Sequence, residues 1–364
     1  MKYLTKKKVA VAMSGGVDSS LTAAILLERG FDVIGITMQL ASDVSALYSG
    51  DRSCCSANEA NDARRVADFL SIPHYVVDFH EEFQNRVVDN FVDEYLKGHT
   101  PNPCIACNRY IKFGKLFDFI DELGIDYLAT GHYARIEEIN DKFYLKKGID
   151  HKKDQSYVLY NVTAQQLSRI LLPLGSQSKD ETRALAEKLD LPVAHKPDSQ
   201  EICFVPNDDY KTFLQKNANK SADALQPGDI VSIDGKVLGH HNGVAFYTIG
   251  QRKGLGIAAE KPLYVAKLDI PNKQVIVGGA DDVFSNRLTA VDLHWIYSQN
   301  FPLKASAKVR YGFRISDCVV NETENNKVEV IFDTPQRAVT AGQSIVFYDE
   351  DIVLGGGIID EIQP

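Results

Sequence analysis

The sequence predicts an α/β protein with a parallel-sheet N-terminal domain, a small middle domain and a C-terminal β-barrel. Three observations carry that expectation. Apolar runs alternate with helical patterns over the first third of the chain, the pattern changes after residue 134, and strand candidates recur at short, regular spacing from about residue 283. Strands separated by helices imply right-handed βαβ units and a sheet covered on both faces. Short, evenly spaced strands imply a barrel or a sandwich. The expected divisions are 1–206, 207–282 and 283–364, and roughly 100–200 residues per domain allows two or three domains.

The elements follow in order. Val9–Met13 is a short apolar run before a glycine-rich turn, and Leu21–Arg29 is a helical stretch closed by Gly30. Val33–Met38 is the next strand candidate. Ala57–Leu70 places Ala60, Ala63, Val66, Ala67 and Leu70 at helical spacing, and Pro73 follows it. His74–Phe79 and Tyr127–Thr130 read as strands, Glu82–Lys97 and Lys112–Leu123 as helices. Ala134–Ile139 and Lys142–Lys147 flank Asn140-Asp141 as a hairpin, and helical patterns occupy roughly 163–190. Beyond Pro206 the chain becomes strand-rich: Ile230–Ile233 and Lys236–Leu238 surround Asp234-Gly235, a two-residue hairpin signal. Ala307–Tyr311, Asp317–Asn321, Lys327–Phe332 and Ser344–Tyr348 are strand candidates of the last domain.

With 44% hydrophobic and 24% charged residues the chain is composed like an ordinary globular protein. No window approaches the ~18 consecutive apolar residues of a membrane helix. The start, Lys6-Lys7-Lys8 before Val9–Met13, is too short an apolar run for a secretory signal, so a cytoplasmic protein is expected. The net charge of −9 argues against a generic nucleic-acid coat protein, although a local basic groove is compatible with it. Six cysteines are too few for a disulfide scaffold in a chain of 364 residues.

Strand, then Ser14-Gly15-Gly16-Val17-Asp18-Ser19-Ser20, then helix is the strongest local signal. Gly15 and Gly16 are able to take positive φ and to let backbone N–H groups approach an anion closely. The helix that follows aims its N-terminus at that anion. Ser14, Ser19 and Ser20 add hydroxyl donors, and Asp18 is suited either to holding Mg²⁺ or to capping the helix. The string is not a G-x-x-x-x-G-K-[ST] phosphate loop, and its contiguous glycines are not a G-x-G-x-x-G dinucleotide fingerprint. A plain strand-to-helix turn is the bland alternative.

Thr100–Arg109 reads as a loop carrying the C-x-x-C pair Cys104 and Cys107. Two thiols at this spacing form a redox pair, supply two metal ligands or simply fill a loop. No second C-x-x-C completes a structural zinc site. Arg109 and Lys112 stand close in sequence and favour thiolate. Cys203 sits far away in Asp198-Ser199-Gln200-Glu201-Ile202-Cys203-Phe204-Val205-Pro206, while Cys54, Cys55 and Cys318 read as small buried hydrophobes.

The seven-residue loop looks like that of the ATP-pyrophosphatase (PP-loop) superfamily. Together with Thr100–Phe113, Ala129-Thr130-Gly131-His132-Tyr133, Lys153–Tyr157, Asp198–Val205, Thr248–Gly256, Val309-Arg310-Tyr311, Gly342-Gln343-Ser344 and Leu354–Gly357, it strongly resembles the bacterial tRNA-specific 2-thiouridylases. The resemblance runs in order over nearly the whole chain. It implies an enzyme that uses ATP and Mg²⁺ to adenylate O2 of a tRNA wobble uridine and replaces that oxygen with sulfur, with a sulfur donor such as a cysteine desulfurase or relay protein as partner. By the same resemblance, Ala12, Met13, Ser14, Gly15, Gly16, Val17, Asp18, Ser19, Met38 and Gly131 contact ATP. Cys203 carries the persulfide, and Cys107 frees the sulfur by closing a disulfide with it. Asn102, Pro103 and Cys104 face the target base. Lys153, Asp154, Gln155, Arg310 and Tyr311 contact tRNA, and His132 and Gln343 orient it.

One departure opens a second route. Better-known members have Asp where this chain has Cys104, so Cys104, Cys107 and Cys203 together offer three ligands for a [4Fe–4S] cluster whose fourth iron binds hydrosulfide. The persulfide and cluster routes both stand at this point. Lys142, Lys146, Lys147, Lys152 and Lys153 give modest support to an RNA face. An amidating ATP-pyrophosphatase acting on a small molecule gives the cysteines no role, and a non-catalytic RNA-binding module leaves the phosphate loop unexplained.

Overall fold

The computed structural model describes residues 6–40, 57–198, 202–205, 207 and 209–363. Cys54, Cys55, Ser199, Gln200, Glu201 and Pro206 lie outside the described residues. The chain forms two compact units. The first holds the chain up to Val88, then Pro103–Asp209 and Asp351–Val353; the second holds Asp89–Asn102, Tyr210–Glu350 and the chain from Leu354 onward.

The first unit is built on β1 (Lys8–Ala12), β2 (Asp32–Gln39), β3 (His74–Asp78), β4 (Tyr127–Ala129) and, past a hairpin of β5 (Ala134–Ile139) and β6 (Lys142–Lys147), β7 (Ile170–Leu171). Its parallel sheet runs β3-β2-β1-β4-β7. Strand order reverses at β1, so a topological switch point lies between β1 and β4, outside the carboxyl ends of the strands. Val9, Ala10 and Val11 of the central strand are fully buried because helices cover both faces. The helix Val17–Glu28 buries Ala23 and Leu26 against Val9, Val11 and Val33, and Val17, Leu21 and Ile25 against Leu174 and Ala186. Truncating Leu21 to Ala would cost roughly 2–5 kcal/mol. The hairpin has the expected bounds, and Asn140 and Asp141 both take the left-handed conformation that a two-residue turn demands.

The second unit contains β8 (Gly228–Ser232), β9 (Val237–His241), β10 (Tyr264–Asp269) and β11 (Gln274–Gly278) in the order β10-β11-β8-β9. It continues with β12 (Phe284–Trp295), β13 (Leu303–Lys308), β14 (Ser316–Glu322), β15 (Val328–Arg337), β16 (Ser344–Asp349) and β17 (Ile352–Gln363). These six run β12-β15-β14-β13-β16-β17, and β17 pairs back with β12 to close a barrel. Its interior holds Leu288, Val320, Val330, Phe347 and Ile359, with Trp295 stacked on Phe347 at 5.2 Å. Cys318 is the buried hydrophobe expected: burial in this core pushes its thiol up to about 12, helped by Asp317 and Asp333.

The fold class expected from the sequence is the one observed, but several local expectations are corrected. Thr100–Arg109 is not a loop throughout. A helix starts at Pro103, whose fixed φ suits a first helical position, and continues as a π segment over Cys107–Lys115 before Leu116–Glu122. The helix expected at Glu82–Lys97 starts at His80 and also contains a π segment, Gln84–Val88. The helical patterns of 163–190 are split by β7 into Ala164–Leu167 and Lys179–Lys188, each opened by a capping box. Tyr210–Asn217, in the region expected to be strand-rich, is a helix that packs Tyr210 and Phe213 on Tyr95 and Phe91. The Asp234-Gly235 connection is longer than two residues: the Ser232 N–H donates to the Lys236 carbonyl at 2.9 Å, which encloses Ile233, Asp234 and Gly235. β13 ends at Lys308, leaving Arg310 and Tyr311 in a turn.

Candidate active site

The phosphate loop joins the carboxyl end of β1 to the helix Val17–Glu28. Its shape is set locally. The Ser14 N–H donates to Ser19 Oγ at 3.1 Å, and the Ser20 hydroxyl donates to the Gly16 carbonyl at 2.8 Å. Ser14 is exposed, whereas Ser19 and Ser20 are buried. Gly15 alone takes positive φ (+70°), and a Cβ there would collide with the Glu59 carbonyl oxygen. Gly16 is extended at φ −94° and serves as N-cap with no side-chain cap, so the expectations of positive φ at Gly16 and of a cap from Asp18 are both corrected. The first N–H groups of the helix therefore have no side-chain acceptor at the cap, the arrangement that receives an anion.

Strands β2 and β4 flank β1. Met38 lies near the end of β2, two residues beyond the Ala12–Ile36 pair. Gly131 follows β4 and packs so tightly that a Cβ would stand 2.8–2.9 Å from the Asp18 carbonyl carbon and Cβ and the Ser19 nitrogen. Glycine is required there by close backbone approach rather than by its φ. The loops after β1 and β4 thus meet at the switch point, and Met38 stands on the neighbouring strand β2.

Charged residues that the sequence did not single out stand behind the loop. Lys179, 7% exposed, donates to both Asp18 oxygens at 2.7 and 2.8 Å, and its ammonium lies 2.8 Å from Asp198. Tyr133 also donates to Asp18, at 2.9 Å. Burial raises the Asp198 pKa, yet hydrogen bonds from Lys153 and Lys179 and their charges overcome it and hold the carboxyl down at about 2. Arg183 donates to Asp198 at 2.6 Å. Lys196 donates to the Gly15 carbonyl at 3.1 Å and to Asp62 at 2.9 Å. The capping box Ser178-x-x-Glu181 was a legible signal for the helix that starts at Lys179, but what Lys179 faces depends on the fold.

Cys104 is exposed in the first turn of its helix, Cys107 is buried at the start of the π segment, and Cys203 is half-buried. None is in a disulfide. The π segment is supported by Asn108, whose Nδ2 donates to the Val158 carbonyl at 2.9 Å; such segments mark functional positions more often than chance. Phe204, next to Cys203, meets the Phe83 ring edge-on at 5.6 Å.

Residues 7–207 match the family model described as the tRNA methyl transferase HUP domain, 211–279 the tRNA methyl transferase PRC-barrel domain and 285–359 the aminomethyltransferase beta-barrel domain. The chain is 51% identical over 363 residues to the tRNA-specific 2-thiouridylase MnmA of Acetivibrio thermocellus, covering 98% of this chain and 100% of that one. The chain belongs to the tRNA-specific 2-thiouridylase family. It is an enzyme of that family, and its Carboxydothermus hydrogenoformans relative of the same name is 50% identical over 366 residues, with 99% and 100% covered. A solved 4-thiouridine synthetase–RNA complex with bound ATP is 18% identical at a TM-score of 0.36, covering 58% of this chain and 50% of that one.

Within the 2-thiouridylase fold, most residues expected to meet RNA have internal partners. Lys153 donates to Asp198 at 2.9 Å. Asp154 is buried and accepts from the Gly148 and Ser156 N–H groups and the Ser156 hydroxyl. Gln155 Oε1 accepts from the Tyr133 N–H at 2.9 Å. His132 is buried, shares a 2.7 Å hydrogen bond with Thr130 Oγ1, and is held well below the usual histidine range by burial and by Lys112. In the second unit, Gln343 is buried and donates to the Thr100 carbonyl at 2.7 Å, while the Thr100 N–H donates to the Ala341 carbonyl at 2.9 Å. These bonds hold the chain just before Asn102, which is half-buried; Pro103, the next residue, is buried. Tyr311 is exposed beside Arg310, whose guanidinium lies 5.7 Å from the Phe313 ring centre. The lysine run is partly neutralised, since Lys146 pairs with Glu137 and Asp351.

Among the described residues no group of three or more His, Cys, Asp or Glu side chains is placed to hold a metal ion. Among the described residues Cys104, Cys107 and Cys203 are not gathered into such a set, so the donors do not fit a [4Fe–4S] centre. Both Asp18 oxygens accept from Lys179. Among the described residues no helix is long and apolar enough to cross a membrane.

Proposed function

We propose that this enzyme replaces O2 of the wobble uridine of tRNA with sulfur in the cytoplasm, and that residues 1–206 carry the chemistry, with 207–282 and 283–364 as central and barrel domains. The observation that carries the reading is the packing of Gly131 against Asp18 and Ser19, which brings the loops after β1 and β4 together at an uncapped helix N-terminus. Ala12 to Ser19, Met38 and Gly131 would hold MgATP there.

An amide-like carbonyl carbon is a poor electrophile. Uridine O2 attacks the α-phosphate of ATP, the bond to pyrophosphate breaks, and the oxygen becomes a good leaving group. A donor protein of the cysteine desulfurase or relay class loads sulfane sulfur onto Cys203. The Cys107 thiolate then attacks Cys203 Sγ; the persulfide S–S bond breaks, hydrosulfide leaves, and a Cys107–Cys203 disulfide forms. Hydrosulfide adds at C2 and AMP departs. A thiol reductant returns the disulfide to two thiols. Asn102, Pro103 and Cys104 face the base, Lys153 to Gln155, Arg310 and Tyr311 contact the tRNA, and His132 and Gln343 orient it. The exposed Tyr311 beside a cation is suited to stacking on a nucleobase.

Mass analysis of nucleosides from tRNA treated with enzyme, MgATP and a sulfide source is the test. The expected product is 2-thiouridine at the wobble position with AMP and pyrophosphate released. No 2-thiouridine overturns the reading.

A further inference from the structure

We propose that Lys196 is a positioning residue for the nucleotide: by holding the Gly15 carbonyl, it turns the Gly16 N–H toward the phosphates. The inference rests on the phosphate-loop reading above and names the group that sets the direction of one of the loop's donors.

The half-buried Lys196 divides its hydrogen bonds between the loop and the helix Ala57–Leu70, donating to the Gly15 carbonyl at 3.1 Å and to Asp62 at 2.9 Å. Its own backbone is fixed on both sides. The Lys196 N–H donates to the Val193 carbonyl at 2.9 Å, and its carbonyl accepts from Arg183 at 3.3 Å. Asp62 and, at 3.8 Å, Glu59 offset the ammonium charge, so Lys196 acts through the peptide it holds rather than as a bare cation. The Gly15–Gly16 peptide is trans, and a planar trans peptide points its C=O and N–H in opposite directions. With the carbonyl turned to Lys196, the Gly16 N–H points away from it, and it has no partner among the described residues. It stands at the uncapped start of the helix Val17–Glu28. The reverse orientation of the same peptide would present an oxygen to the anion, which repels what an N–H binds. An ammonium excludes that orientation, because it donates only and can bond the carbonyl but not the N–H. Its bond also polarises the peptide and strengthens the N–H as a donor.

Calorimetric titration with magnesium pyrophosphate, together with the amide NMR signal of Gly16 in protein labelled at glycine nitrogen, tests this. The signal is assigned by its loss in Gly16→Ala, where the nearest atom to the new Cβ is Ser14 Oγ at 3.6 Å. The wild type should bind pyrophosphate and shift the Gly16 signal on binding. Lys196→Met should move that signal in the ligand-free protein and weaken pyrophosphate binding roughly tenfold or more. Lys196→Arg, which again reaches the carbonyl, should restore both. A wild type that binds pyrophosphate with the Gly16 signal unmoved overturns the positioning alone, whereas one that binds none overturns the loop reading with it. Wild-type affinity in Lys196→Met, or lost affinity with an unmoved Gly16 signal, also overturns the positioning. A melting curve shows whether that variant folds. If it does not, Lys196→Gln decides by the same criterion, since its amide falls one bond short of the Gly15 carbonyl yet stays polar beside Asp62.

Discussion

Ser14–Ser20 and the stretch Thr100–Lys115 both carry candidate chemistry, yet they take their shape from different distances along the chain. The phosphate loop closes on itself within seven residues, through Ser14 to Ser19 and Ser20 to Gly16. The cysteine stretch relies on remote supports: Val158 for Asn108, and Ala341 and Gln343 for Thr100. A site of the first kind is readable from a short string, although remote groups such as Lys196 and Lys179 brace it from outside. One of the second kind needs the fold, and substitutions far away in sequence reach it.

The largest effect should separate the two regions. Cys107→Ala should lower 2-thiouridine formation by at least about a thousandfold, the scale of losing a nucleophile, while tRNA-dependent release of pyrophosphate persists. Equal loss of both activities would mean that the regions are not separable. Gly15→Ala comes next, because it combines positive φ with a collision at Glu59; it should cost at least about 2 kcal/mol, about thirtyfold in ATP affinity. ATP titration by calorimetry checks it, and near-wild-type affinity would show that the loop tolerates a side chain.

Gln343→Leu probes the remote kind of support. It strips the Thr100 carbonyl of a buried donor, at about 1–3 kcal/mol, and should raise the KM for tRNA about tenfold with ATP affinity unchanged. Steady-state kinetics in each substrate distinguishes this from a general loss of stability. The smallest effect concerns pH. His132 is held below 6.5 by burial and then by Lys112, so the folded state binds fewer protons than the unfolded chain as pH falls below 6.5. Stability should therefore decline on acidification, and His132→Gln should flatten that decline in melting temperatures taken between pH about 7.5 and about 5.5. Parallel curves would show that His132 protonates freely in the fold.

The hairpin bounds at 134–147 and the helix Ala57–Leu70 were legible because residue type and spacing set them locally. β7 was not, since two residues gain strand geometry only by pairing with β4. The helix at Pro103 was hidden for a related reason. Asn-Pro pairs favour a loop on local grounds, but proline is equally at home in a first turn once the chain beyond it is packed.

The sequence by itself determined the phosphate loop and the family and singled out the cysteines proposed for the chemistry, because glycine placement, hydroxyls and thiols act through short-range geometry and intrinsic reactivity. The tertiary structure decided which charges share a carboxylate, that Lys179 bonds both Asp18 oxygens, and that the three thiols are not assembled as a metal site among the described residues. Ion pairing and ligand geometry depend on distances of a few ångströms between residues more than a hundred positions apart, and only the packed fold fixes those.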